Sequence, residues 1–497
     1  MLFNEQSFLF LFLPIVFVGI LLLRAGSPHL SSWWIILASF FFYGFHGWEH
    51  LPLLTFSILL NFGLGSAIQR KVGNRSAAHL LTFGIVCNLG VLAVFKYADF
   101  LTSSLGFEHS LNLSLPLAIS FFTFQQIAYL VDVRKGKMTS PSFTHYAVFV
   151  SFFPQLIAGP IVRCQQIIPQ LREGRLGKLS SQAFWIGLCL FSIGLFKKAC
   201  MADGIRPLVE PIFESSSTGG TLSMVEAWLG ATAFGLQIYF DFSAYSDMAL
   251  GLGLLLGIRL PFNFDSPYKA VNVVDFWRRW HVTLSEFLRD YLYKPLGGNR
   301  LGIKRSFLNA TLVMLLGGLW HGASWTFVFW GLLHGLFIGF NHLTRAFAQE
   351  RGKTDGQPFW RLSVNRLLTF AFVTFAWVFF RSQDFQGAFS MLHSMIGLNG
   401  IDLPRSLGFS GSNDLFRFNG LIPNQVTNFS ILPLFLLSII IVWFMPNSLK
   451  IVGLAKDANS PLRVPSNMII LLCSVLLFWG IKVSFEQTTH EFLYFRF

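Results

Sequence analysis

The sequence predicts an all-α polytopic membrane protein, a transmembrane helical bundle of about 11–13 spans with re-entrant and interfacial segments. Three observations predict it. Apolar runs of roughly 17–25 residues, the length that crosses a hydrocarbon core, recur along all 497 residues. Only 12% of residues are charged against 53% hydrophobic, with a mean hydropathy of +0.56; a soluble domain carries about twice that charge fraction. The basic residues fall between the apolar runs, where positive-inside topology puts them. No long hydrophilic stretch interrupts the pattern, so a single integral membrane domain, 1–497, is expected. The net charge of +13 therefore reads as topology signals facing membrane lipid headgroups, not as a nucleic-acid footprint.

The elements follow in order. Span 8–23 is preceded by Glu5 and followed by Arg24, which places the N-terminus outside and does not read as a cleaved signal peptide. Spans 32–47 and 51–68 form a hairpin that returns Arg70, Lys71 and Arg75 to the cytoplasm. Span 79–97 leads out to a loop carrying Asp99 and Glu108, and span 115–133 returns to Arg134, Lys135 and Lys137. Run 145–161 is interrupted by Pro154, Gly159 and Pro160 and has basic residues beyond both ends. It is expected to be broken and re-entrant, lining the working cavity, because non-helical backbone at depth needs protein around it. Span 182–196 leads to a loop over 203–225 with Arg206, Glu210 and Glu214; Lys197 and Lys198 at the span end have no topological reason.

Run 226–257 is too long for one crossing at 1.5 Å per residue. It holds Gln237, Asp241, Ser243, Ser246 and Asp247, then Gly251, Gly253 and Gly257, and reads as kinked or broken. Segment 259–305 is the strongest basic block. Spans 306–320 and 324–343 form a pair, span 366–380 follows, 381–427 reads as an outer loop, and spans 428–445 and 466–483 close the chain. No internal repeat is visible, which weighs against many transporter architectures. The five cysteines (Cys87, Cys164, Cys189, Cys200, Cys473) show no metal spacing.

Two stretches carry candidate chemistry. In Asp275–Arg300 (DFWRRWHVTLSEFLRDYLYKPLGGNR), a helix over 275–292 gathers Phe276, Trp277, Trp280, Leu284, Phe287 and Leu288 on one side. Arg278, Arg279, Ser285, Glu286, Arg289 and Asp290 spread over the other. That pattern is an amphipathic interfacial helix, with His281 turned toward the buried side. An anchor helix with a satisfied histidine suits the same residues. In Leu315–Trp325 (LLGGLWHGASW), His321 lies beside Gly317, Gly318 and Gly322, which allow close approach, with Trp320 and Trp325 as pocket walls. An imidazole takes a proton from a hydroxyl and returns it near neutral pH. A core histidine bonded to a neighbouring carbonyl explains those residues equally well. Asp241 is the other intramembrane charge, placed to orient a histidine or pair with an arginine, with Asp247 a weaker candidate. The remaining histidines, His334 among them, are scattered without metal spacing, and there is no nucleophile elbow, HExxH or P-loop. No metal and no bound cofactor are expected.

Four motifs then align in order: SFFPQLIAGPIVR (151–163), QIYFDFSAYSDMALGLGLLLGI (237–258), the 275–300 stretch and LLGGLWHGASWTFVFWGLLHG (315–335). Together they resemble the membrane-bound O-acyltransferase family, in particular its bacterial branch that acetylates alginate, cellulose or peptidoglycan. The likeness runs over about residues 1–385, leaving 386–497 as variable C-terminal spans. The resemblance implies a funnel or tunnel through the bundle, with the essential membrane histidine at His321 and the second family histidine at His281. It implies acetyl transfer from acetyl-coenzyme A at the cytoplasmic face of a bacterial inner membrane. The acceptor lies on the other side: a periplasmic partner of SGNH-hydrolase type serving an exported polysaccharide. Arg278, Arg279 and Trp280 would hold the donor at the inner mouth. Asp241, Trp320, Trp325, Gly318 and Gly322 would line the substrate pocket. On the expected topology His281 lies at the cytoplasmic end and His321 across the following span. Two other classes compete: a transporter of an acyl or glycan carrier, which would release no free thiol, and a scaffold, in which His321→Ala would be silent.

Overall fold

The computed structural model describes residues 1–24, 27–45, 47–107, 111, 113–350, 358–401, 431–456, 460–486 and 490–493. Among the described residues every regular element is a helix. Six helices are long and apolar enough to cross a membrane: Trp48–Arg70, Arg75–Ser104, Ser181–Ser217, Trp325–Thr344, Phe359–Arg381 and Asn467–Glu486. The chain is a multi-pass helical membrane protein, as its apolar runs require. The described residues group into two compact units. One comprises Met1–Phe196, Phe242–Asn263 and Ser448–Arg496, and the other Lys197–Asp241 and Phe264–Asn447.

In the first unit, helix Pro28–Gly44 starts at Ser27, whose hydroxyl accepts the His29 N–H at 3.3 Å, with Pro28 preset for the first turn. Its core is aromatic: Phe3, Phe8, Phe12, Phe42 and Phe153 pack at centroid separations of 4.9–6.3 Å. The buried amides of Asn61 and Asn88 exchange hydrogen bonds at 2.7 and 3.2 Å between helices Leu51–Arg70 and Arg75–Leu92. Such interhelical pairs satisfy polar groups that lipid cannot. The run 145–161 is broken, as expected. Helix Phe143–Ser151 stops, Phe152 turns out of helical geometry at ψ 105°, and a four-residue helix, Phe153–Leu156, follows. The Ser39 hydroxyl accepts the freed Phe153 N–H, and Gln155 Nε2 donates to the Phe149 carbonyl at 2.7 Å.

Two expectations are corrected here. Run 226–257 is not broken: Met224–Leu255 is one continuous 32-residue helix. Its Gly251 serves contact with a neighbouring helix. A Cβ on Gly251 would collide with the Gly187 carbonyl of helix Ser181–Phe196, and one on Gly187 would press on the Gly251 carbonyl. The region 203–225 is not a loop throughout, because helix continues over Asp203–Ser217 after a π turn at Lys197–Ala202. Pro207 and Pro211 sit inside that helix, whose charges at Arg206, Glu210 and Glu214 suit a loop as well.

The second unit is built on a helical hairpin, Ile303–His321 against Trp325–Glu350, joined by the turn Gly322–Ser324. A Cβ on Gly318 would collide with the Phe327 carbonyl, and one on Gly331 with the Met314 carbonyl. The two backbones therefore pack directly on each other. Helix Phe359–Arg381 covers the hairpin, with Trp377 stacked on Trp330 at 5.7 Å and 20°. The stretch 275–292 is not one interfacial helix. It forms Val273–Trp277 and Val282–Leu288, continued by a π turn at Arg289–Tyr293, with the break at His281. The expected outer loop 381–427 is helical over Phe385–Met395, and its residues 402–427 lie outside the described residues.

Candidate active site

His321 is the last residue of helix Ile303–His321 and is 4% exposed. Three aromatic rings box its imidazole: Trp320 at 4.9 Å, Trp330 at 5.2 Å and Phe380 at 5.3 Å between centroids, with interplanar angles of 69°, 87° and 69°. Each wall comes from a different place. Trp320 precedes the histidine in its own helix. Trp330 is carried in by the facing hairpin helix, and Phe380 by the last turn of Phe359–Arg381. The Gly318–Gly331 approach sets this geometry, since it lets the Trp330 face reach the end of the opposite helix. A proton arriving at His321 meets a helix C-terminus, whose free carbonyls favour a cation.

The imidazole–indole contacts continue on both sides. The His281 ring lies 6.2 Å from the Trp320 ring, and the residue is fully buried. Its backbone takes the left-handed conformation, φ 43° and ψ 56°, which costs an L-residue about 1–3 kcal/mol and persists only where surroundings hold it. Burial pushes its imidazole below the ordinary histidine range, so it is neutral at neutral pH. One indole, not a whole span, separates His281 from His321. The two histidines expected at opposite ends of a helix flank the same tryptophan. On the other side, Trp330 also meets His334 at 4.8 Å. His334 is fully buried, and its Nδ1 accepts a hydrogen bond from Trp277 Nε1 at 3.2 Å. Three imidazoles thus alternate with two indoles: His281, Trp320, His321, Trp330, His334.

The other candidates divide. Trp320 joins the column, whereas Trp325 is 56% exposed at the start of its helix. The space beside Gly318 and Gly322 is filled by protein: the Phe327 backbone at the first and the Phe327 ring at the second. Asp241 accepts from a lysine, Lys198 Nζ, at 2.9 Å. Lys198 also reaches Asp203 at 2.9 Å, and its side chain is 1% exposed. That ion pairing is the reason for a lysine where topology offered none. Asp247 lies in the other unit and accepts from the Ser448 hydroxyl. Arg278 is exposed. Arg279 is half-buried and engaged, with Nε 2.9 Å from Asp275 and Nη1 3.3 Å from the Asp265 carbonyl. Trp280 is core, among Phe276, Phe264 and Trp377 at 5.1–5.6 Å.

Sequence reasoning passed over His334, Trp330, Phe380, Lys198 and Asp203. The signal for the first pair was present: Trp330 and His334 are four apart on one helix, hence on one face.

Residues 80–383 match the model of MBOAT, the membrane-bound O-acyltransferase family. The chain is 39% identical to the peptidoglycan O-acetyltransferase of Helicobacter pylori, over 100% of this chain and 98% of that protein. It is 38% identical to the "Probable alginate O-acetylase AlgI" of Azotobacter vinelandii, over 80% and 78%. With the teichoic acid D-alanyltransferase of Bacillus subtilis the identity is 25%, over 76% and 98%.

Proposed function

We propose the following chemistry for this chain, which belongs to the membrane-bound O-acyltransferase family and is a multi-pass membrane acyltransferase: it moves an acetyl group from acetyl-coenzyme A to a hydroxyl destined for an exported cell-envelope polymer. Peptidoglycan is the polymer favoured over alginate or cellulose. The supporting observation is coverage, because the peptidoglycan-acetylating relative aligns along the whole chain, its C-terminal spans included, and the alginate relative along 80%. The setting is a bacterial inner membrane, with the donor taken from the cytoplasm and the acetyl group handed on through a periplasmic protein of SGNH-hydrolase type.

His321 is the general base. Its imidazole takes the hydroxyl proton as the oxygen attacks the acetyl carbonyl. The tetrahedral intermediate collapses with loss of the C–S bond, and the imidazolium returns the proton to the leaving thiolate. Thioester and alcohol become ester and thiol, with His321 regenerated. Base help of this kind contributes about 10²–10⁴-fold. The rest comes from holding both reactants in a dry site walled by Trp320, Trp330 and Phe380. Arg278 is exposed and open to the donor's phosphates, while a phosphate at Arg279 competes with Asp275.

The observation that carries this reading is the buried imidazole at a helix end inside an aromatic box. The test is His321→Ala in cells lacking the wild-type copy, with membrane insertion checked by fractionation. The expected outcome is an inserted protein and peptidoglycan without O-acetyl groups. Wild-type acetyl content in that strain would sink the assignment.

A further inference from the structure

His334 stands outside the proton transfer just described, yet its hydrogen bonding is specific. Trp277 Nε1 can only donate, and it donates to His334 Nδ1 at 3.2 Å. Nδ1 therefore carries no proton, the ring is neutral, and the proton sits on Nε2. Among the described residues that Nε2–H, fully buried, has no hydrogen-bond partner. Its ring neighbours are Phe276 at 6.2 Å, Trp277 at 5.4 Å, Trp330 at 4.8 Å and Phe372 at 5.4 Å, and none of these side chains carries an acceptor oxygen. An unmet buried donor costs about 1–3 kcal/mol, so a fixed one implies something that enters and satisfies it. The position is specific too: the Trp330 indole touches both rings, His321 at 5.2 Å and His334 at 4.8 Å, so His334 is one indole from the reacting centre.

We propose that His334 is a donor-binding residue whose Nε2–H hydrogen-bonds a carbonyl oxygen on the arm of the acyl donor. The carbonyl is that of the amide two methylenes beyond the thioester sulfur. Such an arm places a second carbonyl about one ring-width from the acetyl group at His321. Trp277 then has a defined part as a positioning residue, because it fixes the tautomer that donates. The inference rests on the reading that the donor is an acetyl thioester.

The experiment compares two small donors with the purified full chain and peptidoglycan fragments as acceptor, following free thiol. N-acetylcysteamine thioacetate carries the amide, and S-butyl thioacetate has the same thioester without it. The wild-type protein is expected to favour the amide-bearing donor by about tenfold in kcat/KM, the worth of one buried hydrogen bond. His334→Leu erases that preference, His334→Gln keeps part of it, and Trp277→Phe weakens it. Equal use of the two donors by the wild type overturns the proposal without any variant, and means that a buried water meets Nε2–H. A His334→Leu protein that loses rate on both donors in proportion overturns it as well, since that is a structural role. No thiol release from either donor by the wild type overturns the thioester reading, and this proposal with it.

Discussion

Two buried polar clusters lie in the same unit and meet the cost of burial in opposite ways. Lys198, Asp203 and Asp241 are charged, and the lysine touches both carboxylates at 2.9 Å. His281, His321 and His334 are imidazoles spaced by indoles, with ring separations of 4.8–6.2 Å along the column. In the first cluster each charge is held by its countercharge, and removing one leaves the others stranded. In the second the imidazoles are set among aromatic walls, and at His321 an imidazole can take up a proton and return it. The difference separates a charge cluster that holds the fold from an imidazole placed for chemistry, although both are equally buried.

Four substitutions break or sharpen that contrast. His321→Ala is expected to lower thiol release from acetyl-coenzyme A by about 10²–10⁴-fold, while thermal unfolding in detergent shifts little. Lys198→Met is expected to do the reverse. Stranding two buried carboxylates costs about 3–5 kcal/mol of stability, read as a lower unfolding temperature and lower yield. Adding Asp241→Asn to it is expected to restore part of the loss. Gly318→Leu forces the hairpin helices apart and is expected to cost about 1–3 kcal/mol, read by the same unfolding assay. It should also lower the rate, because Trp330 is then displaced from His321. Arg278→Ala is the mildest: an exposed charge on the donor's phosphates should raise the KM for acetyl-coenzyme A about two- to fivefold and leave kcat and stability unchanged.

Much of this was legible in the residues, and the parts that were not have physical reasons. Apolar runs and basic loops disclosed the helical membrane architecture because lipid permits few alternatives. Pro154 and Gly159 announced the break after Ser151. His321 stood out because a polar ionisable group among glycines and tryptophans is rare at that hydropathy. Glycine was the ambiguous letter. At Gly251, and at Gly318 and Gly331, it marks backbone-to-backbone packing, while the same residue type elsewhere marks a bend, and only the partner helix distinguishes the two. The break at His281 was hidden because the apolar pattern of 275–292 fits one helix, and nothing in that pattern marks a non-glycine residue for the left-handed conformation. Lys198 looked like a topological exception because its partner Asp241 is 43 residues away.

The most direct test of the account sets the two clusters side by side. Purified His321→Ala and Lys198→Met are each brought to a known folded fraction, and thiol release is measured per folded molecule with acetyl-coenzyme A and peptidoglycan fragments. The account predicts that the folded His321→Ala protein releases almost no thiol, and that the folded Lys198→Met protein works at close to the wild-type rate. A working His321→Ala protein beside a folded but inactive Lys198→Met protein would contradict it and move the chemistry to the charged cluster.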